Sequence, residues 1–266
     1  ESIAADARLG LVSDSLDAAF KQVSRQEFGV VEYYTLGENR WKTTRHWPLP
    51  NTQWQRYYLA ENRQLSQARP SQEEGGDSYT VDPTTSSGIN NRWGCQLKYP
   101  VHFDDRREQD KQRLVYDSEP LECDTEITGH PVVHLYVRSS TTDGQFFAYL
   151  ETVDPDGRVR WLTDGQLRAL HRKESTEAPP FKMFGPYHSL KEKDAEPLVP
   201  GEVAEIAFDL LPISVRLKKG QRIRLAIAGA DCEVFEPMAG SEGSEIRVER
   251  NCVYGSYLEL PTVPLN

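Results

Sequence analysis

From Leu121 to Lys173, apolar residues recur at every second position, and each run is closed by Gly, Asp, Pro or a Ser-Thr pair. This stretch, LECDTEITGHPVVHLYVRSSTTDGQFFAYLETVDPDGRVRWLTDGQLRALHRK, predicts five strands in succession. Val133, Leu135 and Val137 face one way and His134, Tyr136 and Arg138 the other; Phe147, Tyr149 and the aliphatic stem of Thr152 continue the pattern. Asp154-Pro155-Asp156-Gly157 predicts a turn, because Pro sets φ, Asp caps its own backbone and Gly supplies a positive φ. The strand Arg158 to Leu162 then folds back, and a second turn expected at Asp164-Gly165 sends Gln166 to Arg172 out again. The result is an antiparallel meander on which the rest of the chain must pack.

The periodicity differs elsewhere. Residues Ser2 to Gln26 carry Leu9, Val12, Leu16, Ala19, Phe20 and Val23 at three- and four-residue steps, which predicts a helix with one apolar stripe. That stripe suits either a linker docked on something N-terminal or a helix lying on this chain's own sheet. From Gly29 the pattern becomes that of strands: VVEYYTL and RWKTTRHW flank Gly37-Glu38-Asn39 as a hairpin, ended by Pro48-Leu49-Pro50. Trp54 to Leu59 predicts a further strand, Asn62 to Gly76 a polar surface loop, Ser78 to Val81 a short strand, and Thr84 to Trp93 a second loop. Leu114 to Tyr116 leads into the meander. Glu174 to Pro200 is a charged, proline-rich excursion of the kind that makes contacts. Three strands remain, built on Ala204 to Leu210, Arg222 to Ile227 and Tyr257 to Leu260, which brings the expected total to about a dozen.

Many short strands with 17 Pro and 18 Gly favour an all-β sandwich over an α/β fold, and 266 residues allow a large core. The formal net charge of −10 makes nucleic acid and anionic membrane poor partners. No apolar run approaches the roughly 18 to 20 residues that a membrane span needs. Glu1-Ser2-Ile3 has no Met and no signal-like region, which reads as a fragment or a processed product, and localisation cannot be read from it. Cys95, Cys123, Cys232 and Cys252 form no CxxC pair and have no His at metal-ligand spacing, so no zinc is expected. Cys232 and Cys252 are either a disulfide or two buried thiols.

Three blocks carry a family resemblance: YYTLGENRWKTTRHWPLP (33–50), LVYDSEPLECDTEITGHPVVHLYVRSSTTDGQFFAYLETVDPDGRVRWLTDGQLRALHR (114–172) and LVPGEVAEIAFDLLPISVRLKKGQRIRLAIAGAD (198–231). In order and spacing they resemble the C-terminal β-domain of X-Pro dipeptidyl-peptidases and cocaine esterase-type serine hydrolases, a group that also holds α-amino-acid ester hydrolases. The resemblance implies an all-β jelly-roll β-sandwich of the galactose-binding-like type over residues 29–266, with an N-terminal helix. It further implies that residues 1–28 are the end of an upstream α/β-hydrolase domain, the main partner of this one. The chain departs from the family at Ala228-Gly229-Ala230-Asp231-Cys232-Glu233-Val234-Phe235, where relatives carry a Ser-Ser-Asn-Phe-Pro-like run.

In such enzymes the Ser-His-Asp triad lies in the hydrolase domain, on a G-x-S-x-G elbow that this chain lacks. The nearest imitation, Gly76-Asp77-Ser78-Tyr79-Thr80, has no final Gly and precedes Asp82-Pro83 instead of a helix, so Ser78 is not expected to be a nucleophile. His46, His102, His130, His134, His171 and His188 lie in no motif that pairs a base with a nucleophile. Asp104-Asp105, Asp143 and Asp154/Asp156 are oxygen donors of the type calcium uses, but no ligand loop surrounds them and no cofactor is expected. Four of the five tryptophans, Trp41, Trp47, Trp54 and Trp161, sit in strand patterns where core or interface packing is expected, whereas Trp93 ends a polar loop. The resemblance implies that the loop from Ser87 to Trp93 approaches the parent's active site, which makes Ser87, Asn90, Asn91 and Trp93 the expected substrate-lining residues. The implied function is that of a non-catalytic domain shaping the cleft for a small ester, amide or peptide, with self-association through an exposed apolar face as a further expectation. The rival reading is a stand-alone carbohydrate-binding jelly roll that uses exposed aromatics.

Overall fold

A computed structural model describes residues 29–100 and 102–265. The helix expected over Ser2 to Gln26, and with it the proposed domain boundary at residue 28, lies outside them. The described chain is built from fifteen strands joined by turns and short 3-10 segments.

β1 (Val31–Thr35) and β2 (Arg40–Thr44) form the hairpin expected at the start, with Gly37 at φ +79° and Asn39 at φ 56° in its turn. The hairpin lies on the outside of the sandwich. Leu36 bridges to Val215, and Thr35 Oγ1 meets Ser214 Oγ at 2.8 Å, which in turn meets Thr128 Oγ1 at 2.8 Å. Lys42 reaches Glu126 at 2.7 Å in the same layer. A polar interface of this kind is sound only because each buried hydroxyl has a partner.

β3 (Gln53–Ala60), β4 (Gln64–Ser66), β6 (Leu114–Ser118), β9 (Gln145–Val153), β10 (Val159–Arg168) and β13 (Arg222–Ala228) run side by side in the order β10-β9-β13-β6-β4-β3. β15 (Tyr257–Val263) pairs with β3 and carries the sheet over to β7 (Thr125–Gly129) and β8 (Val132–Ser139). β8 then pairs with β11 (Ala204–Asp209) on one edge and β14 (Glu245–Glu249) on the other; β5 (Gly76–Thr80) pairs with β14 and β12 (Ile213–Leu217) with β7. Leu59, Tyr116, Leu150 and Leu225 from the first set meet Leu135, Ile206, Val248 and Leu258 from the second in one shared core. This is the all-β sandwich that the strand pattern predicts.

The details depart from the sequence pattern in several places. The meander holds four strands, not five, because Asp164-Gly165 lies inside β10, which runs unbroken past a bulge between Trp161 and Thr163. A Cβ on Gly165 would sit 2.5 Å from Asp209 O, so glycine is there for close approach and not for a turn. On β9 the residues facing the main core are Phe146, Ala148 and Leu150; Phe147 and Tyr149 face outward, the reverse of the expected parity. They are nonetheless buried, in a second small cluster with Ala226 and Ala228, against which Trp161 and Phe235 pack. The polar loop expected over residues 62–76 contains β4, with Leu65 buried, and β12 and β14 are further strands that the pattern missed. Trp41 and Trp54 are exposed rather than packed away. Cys232 and Cys252 are free thiols, neither of them buried.

Candidate functional site

The second cluster exists because something covers the outer face of β9, β10 and β13. The cover is the connection from β5 to β6, residues 81–113, together with the connection from β13 to β14, residues 229–244. Asp82 caps the start of the first: its Oδ1 accepts from Thr84 N at 2.8 Å and from Thr84 Oγ1 at 2.6 Å, with Pro83 between them. The backbone then ties to the second connection through Val81 N to Ser244 O at 2.9 Å and Cys232 N to Thr85 O at 3.0 Å.

Asp231 is the anchor. Its side chain is buried and accepts from Ser87 N at 2.8 Å, Ser87 Oγ at 2.5 Å and Tyr149 OH at 2.8 Å. Burial pushes the Tyr149 phenol well above its ordinary value, so at neutral pH it donates. Asn91 Nδ2 donates to Ser87 Oγ at 2.7 Å and to Gly88 O at 2.5 Å, while Asn91 Oδ1 accepts from Trp93 N and Gly94 N, both at 2.9 Å. The loop closes so tightly that a Cβ on Gly94 would collide with Ile89 O. Asn90 is exposed, and its carbonyl accepts from His102 N at 2.8 Å.

Trp93 is held at the rim. Its Nε1 donates to Asp164 Oδ2 at 2.8 Å, Arg92 Nε donates to Asp164 Oδ1 at 2.7 Å, and the Arg92 guanidinium lies 4.0 Å from the Trp93 ring centroid. Phe235 meets the same ring edge-on at 5.2 Å. Beside it Phe103 stacks on Trp161 at 5.8 Å, with Phe103 62% exposed. Trp93, Phe103, Trp161, His102, Arg106 and Asp164 frame a shallow depression whose floor is Ser87, Asn91 and Tyr149.

Of the four residues singled out from the sequence, all lie in this one loop, but they divide in two. Ser87 and Asn91 are buried and spend their polar atoms holding the loop, whereas Asn90 and Trp93 reach the surface. The groups that make the loop rigid, namely Asp231, Asp164, Arg106 and Tyr149, are distant in sequence and belong to no local motif. Ser78 sits on β5 opposite Arg247, not on an elbow. The acidic candidates for calcium are engaged separately: Asp105 with Arg107, Asp143 with Arg168, Asp154 with Arg160. Among the described residues no three His, Cys, Asp or Glu side chains converge on a metal position. No helix among them is long and apolar enough to cross a membrane.

Residues 27–252 match the family described as the X-Pro dipeptidyl-peptidase C-terminal non-catalytic domain. The chain belongs to that family. The domain is 46% identical over 235 residues to a candidate serine esterase of Mycobacterium bovis, covering 88% of this chain and 37% of that protein. It is 27% identical over 229 residues to the cocaine esterase of a Rhodococcus species, covering 80% of this chain and 36% of that one. Among solved structures, an aminopeptidase from a marine sediment archaeon of the Thaumarchaeota shares the fold with a TM-score of 0.70 at 22% identity, over 88% of this chain and 40% of its own. The domain thus spans little more than a third of the length of these curated relatives. The family resemblance carried by the three sequence blocks and the β-sandwich both agree with these matches.

Proposed function

We propose that the domain packs on an α/β-hydrolase domain of the same protein and supplies one wall of its substrate cleft, the wall being the loop from Ser87 to Trp93. The supporting observation is that Asn90 and Trp93 are presented at the surface by a loop whose other polar atoms are already paired within the domain. A preorganised wall of this kind restricts which acyl or peptidyl group fits without taking part in bond breaking. In the complete protein a serine hydroxyl in the partner domain attacks an ester or amide carbonyl, with a histidine as base and backbone N–H groups receiving the oxyanion. The substrate class is that of small esters, amides or peptides.

Trp93→Ala and Asn90→Ala in the complete protein test this. The expected result is a rise in KM and altered preference among acyl groups of different size, with kcat for the smallest ester unchanged. Unchanged selectivity in both variants would contradict the assignment.

The rival, a stand-alone carbohydrate-binding module, is disfavoured by the surroundings of Trp93. Arg92 lies over its ring, Phe235 contacts its edge and Asp164 holds its N–H, leaving little open face for a sugar to stack on.

A further inference from the structure

Beneath the Ser87–Trp93 loop lies a buried charge cluster that the proposed cleft does not use. Two arginines support the loop from below: Arg106 Nη1 donates to Ser87 O at 2.6 Å and Arg113 Nη2 to Ser86 O at 3.1 Å. Both also face Glu151 of β9, whose Oε1 is 3.8 Å from Arg106 Nε and 3.8 Å from Arg113 Nη1. Glu151 has no solvent exposure, and neither of its carboxyl oxygens has a hydrogen-bond donor. The Nε atoms of Arg106 and Arg113 are likewise buried without an acceptor. A carboxylate with two arginines this near would ordinarily capture them in short bidentate bonds. Here the arginines turn to the loop carbonyls instead.

The neighbouring groups explain why. Asp110, from the same connection as the arginines, faces the same Arg113 nitrogen as Glu151 and sets a like charge beside it. Arg224 of β13 stands opposite Glu151 in the strand register, yet its Nη1 goes to Asp110 Oδ2 at 2.7 Å and its other nitrogens to Asp117 of β6, with Nε and Nη2 at 2.6 and 2.7 Å. Arg113 Nη1 adds a contact to Asp110 Oδ1 at 3.4 Å. Tyr149, two residues from Glu151 on the same face of β9, lies beneath the Arg113 guanidinium at 4.1 Å and gives its O–H to Asp231. On the remaining side β10 places the uncharged Trp161 opposite Glu151. Asp110 is therefore supplied with donors and Glu151 is not. A buried carboxyl with no donor of its own and a like charge nearby favours its neutral, protonated form.

We propose that Glu151 is a protonated positioning residue: its neutrality leaves Arg106 and Arg113 free to hold the carbonyls of Ser87 and Ser86. Loss of that proton to solvent puts a full charge between the two guanidiniums, draws them from the loop and loosens the segment that carries Asn90 and Trp93. Burial, followed by the Asp110 charge, pushes the Glu151 carboxyl up to about 8, against the opposing pull of Arg113 and Arg106. The release therefore comes with rising pH.

The test reads the loop itself, so it can fail or succeed independently of the substrate-cleft proposal. Amide hydrogen exchange of residues 86–94 is measured in the full chain between pH 6 and 9.5 and corrected for the intrinsic rate. The wild type is expected to lose protection about tenfold or more in a step near pH 8. Glu151→Gln, a permanently neutral isostere, is expected to keep the low-pH protection throughout. Asp110→Asn removes the like charge beside Glu151 and is expected to move the step to lower pH, a displacement that a purely structural role would not produce. A wild type with no step, or the same step in Glu151→Gln, would overturn the proposal. Should Glu151→Gln not fold, an unmoved midpoint in Asp110→Asn would overturn it equally.

Discussion

Removal of Asp231 is the sharpest structural perturbation the domain offers. Its carboxylate accepts three hydrogen bonds, from Ser87 N, Ser87 Oγ and Tyr149 OH, and its side chain is buried. Asp231→Ala leaves Ser87 N–H, the Ser87 hydroxyl and the Tyr149 phenol as buried donors without an acceptor, at about 1 to 3 kcal/mol each, although Ser87 Oγ still accepts from Asn91 Nδ2. The sum is a loss of about 3 to 9 kcal/mol. It is capped by the free energy at which residues 81–113 detach as a unit, because local opening readmits water to the stranded donors. Equilibrium urea unfolding measures the loss, and a double-mutant cycle with Tyr149→Phe isolates the share due to the phenol: the pair is expected to couple by about 1 kcal/mol or more. A loss below about 1 kcal/mol, with residues 86–94 as protected as in the wild type, would refute the claim that Asp231 anchors the loop.

Other consequences are equally direct. Gly94→Ala places a Cβ against Ile89 O, so the loop must open; a destabilisation of about 1 to 3 kcal/mol and loss of protection at Asn91 to Gly94 are expected by urea unfolding and hydrogen exchange. Gly165→Ala drives the same kind of clash into Asp209 O, where β10 passes β11, and lowers the unfolding midpoint by a comparable amount without altering the loop. Ser214→Ala strands Thr35 Oγ1 and removes one partner of Thr128 Oγ1 beneath the β1–β2 hairpin, for an expected cost of about 1 to 2 kcal/mol with the hairpin the first element to exchange. The pH dependence of stability has a definite sign: the Glu151 carboxyl binds its proton more tightly in the folded chain, so its contribution is full below the ordinary carboxylate value and is lost as pH rises through about 8. Urea midpoints at pH 5, 7 and 9 should fall along that series, and less steeply in Glu151→Gln.

What the sequence revealed and what it hid have physical causes. The hairpin at Gly37-Glu38-Asn39 and the turn at Asp154 to Gly157 were legible because turn chemistry is local. Val133, Leu135 and Val137 alternate cleanly because β8 is buried on one face and wetter on the other. β9 is buried on both faces, so Phe147 and Tyr149 look as apolar as Phe146 and Leu150 and period-two reading cannot choose the core side. Asp164-Gly165 imitates a turn, although its aspartate is there for Arg92 and Trp93 and its glycine for Asp209 O. β14 carries Glu245, Arg247 and Glu249 in five residues, and β4 is three residues long, so neither has the apolar signal of a strand. The residues proposed to line the substrate were legible only through family resemblance. Their supports were not, because Asp231, Asp164, Glu151 and Arg106 reach the loop only through contacts between distant parts of the chain, and nothing in a stretch such as RREQDKQR distinguishes a buried Arg106, Asp110 and Arg113 from solvated charge.

Hydrolysis of p-nitrophenyl esters by this 266-residue chain, beside the same chain extended to include the proposed hydrolase domain, tests the central claim most directly. Turnover in the longer protein alone, altered in acyl selectivity by Trp93→Ala, is the predicted result. Turnover by the 266-residue chain itself would contradict it, and would place a nucleophile among residues that are here read as scaffold.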